Sequence, residues 1–227
     1  MLGAALAALG DLFTRPFRGV LVKTLGLTLI LLTVAWLLFQ ATLGVFVDLP
    51  YPWMDTALAI VAGLGVLVGM IYLVPPVSTL VAGFFLDDVA QAVESTRYPG
   101  DPPGEALPLG RSMLLSLRFF GLVLLVNFVA LLFLLVPVVN VAAFLVANGY
   151  LIGREYFQLA ALRHAGEAEA GALRRRHRFR VFLAGLLIAS VMIVPVVNLI
   201  APLFGTAFMV HLHKRLARVD LRAQAQA

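Results

Sequence analysis

The sequence predicts an all-α integral membrane protein. It should comprise an N-terminal amphipathic helix, two long transmembrane helices, and two proline-tipped, partly membrane-penetrating helical hairpins. Three observations carry that prediction. Hydrophobic residues make up 62% of the 227 residues and charged residues 13%, with a mean hydropathy of +0.99; soluble domains hold about 45–50% apolar and about 25% charged residues. The apolar residues gather into uncharged runs of membrane-helix length, such as Leu25 to Val47. Finally, the tetrapeptide Pro-Val-Val-Asn interrupts two apolar runs near their middles, at 137–140 and 195–198.

Residues 1–19 read as an interfacial helix and a basic turn. Leu2, Leu6, Leu9, Leu12 and Phe13 recur at three- and four-residue steps, one face of a helix, with Ala, Gly and Asp on the other. The segment is too short to span and should lie along the interface. It lacks the basic start of a cleavable signal and runs into Asp11 and arginines. Thr14-Arg15-Pro16-Phe17-Arg18-Gly19 reads as the turn that ends it. Residues 20–47 form the first long helix. A turn at 48–55 follows, with two prolines, two aspartates, Tyr51 and Trp53.

Residues 56–96 form the second long helix. Gly65 and Gly69 stand one turn apart on it, a face suited to close helix approach. Pro75-Pro76 should kink or break it. Its last part should leave the membrane, with Asp87, Asp88 and Glu94 solvated. Tyr98 to Gly104 is dense in proline and glycine and reads as a loop.

Residues 111–160 and 178–216 are the two hairpins. Proline stops a helix and asparagine favours turns. The tips carry no charge and are flanked by Leu, Ile and Val. The arms 138–152, 181–194 and 196–210 amount to roughly 21–23 Å of helix at about 1.5 Å per residue, short of a hydrocarbon core about 30 Å thick. None of the 17 lysines and arginines lies in the 48–55 turn, whereas Arg118, Arg154, Arg180 and Lys214 flank the hairpins. Basic segments favour the cytoplasm. That places the 48–55 turn in the periplasm and brings both hairpins in from the cytoplasmic side. Six full spans are the alternative, at the cost of exposing apolar tips to water. Residues 1–227 form a single membrane domain on either view.

The absence of cysteine excludes disulfides and thiolate chemistry. No nucleophile–base arrangement, metal-ligand spacing or phosphate loop is present, so no enzyme activity, cofactor or metal is expected. His211 and His213 are two apart, on nearly opposite helix faces, and read as interfacial anchors. No charged residue falls within the apolar cores, which argues against a proton-coupled carrier. Asn127, Asn140, Asn148 and Asn198 either hydrogen-bond between helices and cap the hairpin turns, or line a polar path through an oligomer. The basic run 174–180 reads as a lipid-headgroup anchor rather than a nucleic-acid site. Arg15, Arg18, Gly19 and Val20 combine two guanidinium groups, a glycine and helix-start amides, the ingredients of an oxyanion site. The same stretch would also serve as a positive anchor for the first span. Half-penetrating hairpins leave turns that lipid cannot hydrogen-bond, so a homo-oligomer is expected.

Four local runs occur in a telling order: Arg15-Pro-Phe-Arg-Gly-Val-Leu21, Val93-Glu94 with Tyr98-Pro-Gly100, Asn148-Gly-Tyr-Leu-Ile-Gly-Arg-Glu-Tyr-Phe157, and the two Pro-Val-Val-Asn repeats. Together with the layout, they resemble the CysZ-type sulfate permeases and the related etoposide-induced-protein-like membrane family. The resemblance implies a multi-pass protein of the bacterial inner membrane. It would take up sulfate for cysteine synthesis through a homo-oligomer, without ATP hydrolysis by this chain. The family's sulfate-binding run before the first long helix falls here on Pro16-Phe17-Arg18-Gly19, where Arg18 carries over. A structural scaffold or a lipid-binding membrane protein without ion flux is the reading from other classes.

Overall fold

The computed structural model describes residues 1–46, 60–65, 69, 74, 77–78, 81–132 and 137–226. Its helices are α1 (Leu2–Asp11), α2 (Arg15–Phe46), α3 (Leu86–Arg97), α4 (Leu109–Leu132), α5 (Pro137–Leu162), α6 (Glu167–Arg176), α7 (Arg178–Met192), the single turn α8 (Pro195–Asn198) and α9 (Ala201–Ala225). Residues 60–65 are also helical, and no strand occurs among the described residues.

Prolines start these helices rather than bend them. Pro137 and Pro195 are the first residues of α5 and α8, and Pro16 and Pro202 the second residues of α2 and α9. In a first turn the missing N–H is not needed and the fixed φ already suits a helix. The predicted turn at Thr14–Gly19 is corrected for this reason. The turn lies at Leu12 to Thr14, and α2 begins at Arg15 with the Arg18 N–H donating to Thr14 O at 3.0 Å.

Helix ends follow charge. Asp87 and Asp88 open α3 and Arg97 closes it; Glu167 and Glu169 open α6 and Arg174 to Arg176 close it. Both arrangements complement the helix dipole.

The core gathers around α9, which packs on α1, α3, α5 and α7. Its Leu203, Ala207, Phe208, Met209, Val210 and Leu212 join Ala4 and Ala8 of α1, Phe17 and Val20 of α2, Val89 and Val93 of α3, and Phe157 of α5. Full burial of a side chain such as Phe208 contributes roughly 1.5–3 kcal/mol. α1 is inserted by its small face: Ala4, Ala5 and Ala8 are buried, while Leu2, Leu6, Leu9 and Phe13 point outward. The leucine face is therefore free to enter a lipid surface.

α5 and α7 form the tightest crossing among the described residues. A Cβ on Gly153 would stand 2.6 Å from the Val181 carbonyl oxygen, and one on Gly149 3.0 Å from the Leu186 Cα. Gly185 fits between Gly149 and Gly153. The pairing of 149 with 186 and 153 with 181 makes the two helices antiparallel.

One helix among the described residues is long and apolar enough to cross a membrane, Arg15–Thr42, and only 22% of its apolar window is buried. A core helix of a soluble protein would be mostly buried. Here Leu29, Ile30, Leu37 and Leu38 are exposed, as lipid contact requires.

The 48–55 turn, the break expected at Pro75-Pro76 and parts of the second long helix lie outside the described residues. The end of that second helix is broken at residues 84–85 before α3 starts. Glu94 is buried in α3, contrary to the solvated position predicted for it, because it neutralises a buried arginine. α4 packs on α5 and α7 on α9, with residues 133–136 outside the described set.

Candidate functional site

The start of α2 is fixed from below by its buried face and presents the opposite face outward. Phe17 and Val20 are 2% and 6% exposed, and Thr24 and Thr28 continue the buried face. Arg15, Arg18 and Gly19, at steps of three and four, share the exposed face, with Lys23 one turn further along. Of the four residues proposed from sequence, Val20 is thus turned into the core, and the other three share the surface. A Cβ on Gly19 would meet nothing within 4 Å. Neither arginine has an ion-pair partner among the described residues.

Two guanidinium groups one turn apart can each present a planar fork of donors to a tetrahedral oxyanion. The helix start adds positive potential, though Pro16 supplies no N–H and the Arg18 N–H is used by Thr14.

Sequence reasoning missed the polar cluster that holds this segment in place. Asp11, at the end of α1 and 3% exposed, accepts from Arg97 Nε at 2.7 Å and meets His211 Nε2 at 2.8 Å. The Tyr98 hydroxyl meets His211 Nδ1 at 2.7 Å. An anionic Asp11 requires the proton on Nε2, so Nδ1 accepts from Tyr98. Burial, opposed by Asp11, holds the His211 pKa below its usual value.

A second hub lies on α3. Glu94 accepts from Arg163 Nε and Nη2, both at 3.2 Å, and from the Gly104 N–H at 3.2 Å, with His164 Nε2 at 3.0 Å. Arg163 also donates to Asp87 at 2.6 Å and to Gly104 O at 3.2 Å. Burial alone would raise the Glu94 carboxyl; the bonds from His164 and Arg163 outweigh it and bring the pKa down to about 2. His213 stacks on His164 with ring centroids 5.4 Å apart, and burial, reinforced by the His164 charge, lowers it to about 4.

These contacts correct the interfacial role predicted for His211 and His213. Both are buried, facing different partners as their spacing demands. The missed signal was in the sequence: ionisable residues crowd the 94–101, 163–164 and 211–218 segments, but nothing there indicates which pair.

The asparagines are dispersed. Asn148 Nδ2 donates to Phe144 O of its own helix at 2.8 Å. Asn198 closes α8 and is half-buried, its N–H donating to Val194 O at 2.8 Å. Asn127 lies in α4 and Asn140 in the first turn of α5, with side chains outside the described set.

The family described as sulfate transporter CysZ/etoposide-induced protein 2.4 matches residues 4–202. The chain belongs to that family. The match begins in α1 and extends into the first turn of α9, so it takes in the basic start of α2 and both Pro-Val-Val-Asn turns. No individual curated protein matches the chain. Membership makes it a membrane protein of the sulfate-transporter type.

Proposed function

We propose that this chain is a bacterial inner-membrane permease or channel that takes up sulfate for cysteine synthesis, acting as a multi-pass homo-oligomer. The observation that carries the reading is the coincidence of family membership with an outward-facing Arg15–Arg18 pair at the start of the one described span. Sulfate is divalent and strongly hydrated, so a site must replace water with several donors and offset two charges. Guanidinium forks at a helix start do both. Arg15, Arg18 and Gly19 receive the ion at the α2 surface, with Val20 seating that turn in the core.

In this account the two hairpins, 111–160 and 178–216, enter the bilayer part-way, and neighbouring copies cover their turns. Asn127, Asn140, Asn148 and Asn198 supply polar groups along the route without charge. No cofactor takes part, and nucleic acid is not a partner.

Flux of radiolabelled sulfate into liposomes carrying only this protein tests the proposal. Saturable uptake above that of empty liposomes is expected. Uptake equal to empty liposomes, from protein shown to be folded, would leave a scaffold or lipid-binding role instead.

A further inference from the structure

A cleft of about 360 Å³ opens where α5, α6 and α7 meet, away from the start of α2. Four arginines line it: Arg154 from α5, Arg174 and Arg175 from the end of α6, and Arg178 from the start of α7. No carboxylate is among its lining residues. Glu155 and Glu167 line an adjoining cleft that shares Arg154, Arg174 and Arg175, and there Glu167 is taken by Arg118 at 3.3 Å. Arg174 Nε is buried and has no hydrogen-bond partner among the described residues. Burial first, and the Arg154 charge next, work against its protonated form. Four like charges converge on this cleft with no acid among its lining residues, and one of them holds an unused donor.

The remaining walls are apolar or amphipathic: Tyr150, Val181 and Phe182. Their order along the helices matters. On α5 the exposed residues Val146 and Tyr150 lead, one turn at a time, to Arg154. On α7, Arg178 leads to Val181 and Phe182. Because the glycine crossing makes α5 and α7 antiparallel, both helices put their basic ends on one side and their apolar ends on the other. A ligand that fits both ends is anionic at its head and apolar along its tail. A free inorganic anion would use the arginines and leave the apolar wall bare.

We infer that this cleft binds the phosphodiester headgroup of an anionic phospholipid, with the acyl chains lying along Val146 and Phe182. The four guanidinium groups offer bidentate donors to the phosphate oxygens, and Tyr150, one turn before Arg154, supplies the amphipathic ring that suits the headgroup boundary. Basic pockets between membrane helices recognise anionic headgroups by this chemistry. The volume suits a headgroup, near the lower end of the roughly 300–1,000 Å³ of ligand pockets. The inference does not depend on the sulfate reading.

The test is equilibrium binding of a fluorescent phosphatidylglycerol to the full-length protein in a neutral detergent. Saturable binding is expected. Arg175→Gln and Arg178→Gln, both at exposed positions, should each weaken it about tenfold, while the distant Arg222→Gln leaves it unchanged. Melting temperatures of all three variants check that the fold is kept. Millimolar inorganic phosphate or sulfate should fail to displace the lipid, and the phosphatidylcholine analogue should bind much more weakly. Equal binding of phosphatidylcholine, ready displacement by phosphate, or parental affinity in both cleft variants would overturn the inference. The assay reads lipid alone, so its failure leaves the sulfate proposal standing.

Discussion

Arg163 grips Glu94 through two hydrogen bonds, Nε to Oε1 and Nη2 to Oε2, both 3.2 Å long and both buried. The pair ties the end of α5 to α3 and closes the 98–108 loop over it through Gly104. Removing one member leaves a buried charge short of its partner. Glu94→Gln should therefore cost roughly 3 kcal/mol, at the low end of that class because Asp87 still holds Arg163. A thermal melt in detergent measures this, and a loss below about 1 kcal/mol, the value of an exposed pair, would contradict it.

The histidines give the fold an acid limit. His213 has a pKa of about 4 in the folded protein, against an ordinary value of 6.5. Between those values the unfolded chain binds more protons, so stability falls as pH drops from 6.5 toward 4. Glu94, at about 2 against 4.5, extends the loss below pH 4.5. Melting temperature should decline through the first window in the parent and decline less in His213→Phe. Identical profiles for the two proteins would rule out His213 as the cause.

Glycine at the α5–α7 crossing is a packing requirement. Gly185→Ala should separate the helices and destabilise the protein by several kcal/mol, as overpacking against backbone does. Gly26→Ala, where a Cβ meets nothing within 4 Å, should be neutral or slightly stabilising. Similar melting temperatures for the two variants would contradict the crossing.

The depth of the Pro-Val-Val-Asn turns can be read chemically, since the chain has no cysteine. Single cysteines at Val139 and Val197 should resist a membrane-impermeant thiol reagent added from the periplasmic side. Strong labelling at both positions would replace the hairpins with six full spans.

The fold was legible in the sequence wherever period and composition act locally. The leucine face of α1, the apolar length of α2 and the loop after Tyr98 follow from residues within a few positions of one another. Proline was misread once, at 14–19, because it starts a helix as readily as it stops one. The polar cluster was not legible, since Asp11 meets His211 and Glu94 meets Arg163 only after the helices pack. Those pairings are long-range, and no local pattern encodes them. The basic run 174–180 was visible as charge, but its cleft depends on Arg154 and Tyr150, which α5 brings from elsewhere. Arg15 and Arg18 were visible, and the structure adds which face they share.

Sulfate binding by the Arg18→Ala variant tests the central claim most directly. Equilibrium binding of radiolabelled sulfate to the purified protein should weaken about tenfold or more, because a charge-assisted fork is lost. Arg18→Lys should recover only part of it, since an ammonium cannot make the bidentate contact. Arg178→Ala, which removes the same charge from the lipid cleft, should bind sulfate like the parent. If Arg18→Ala and Arg178→Ala both match the parent, or both lose sulfate equally, the start of α2 is a charge anchor and not the sulfate site.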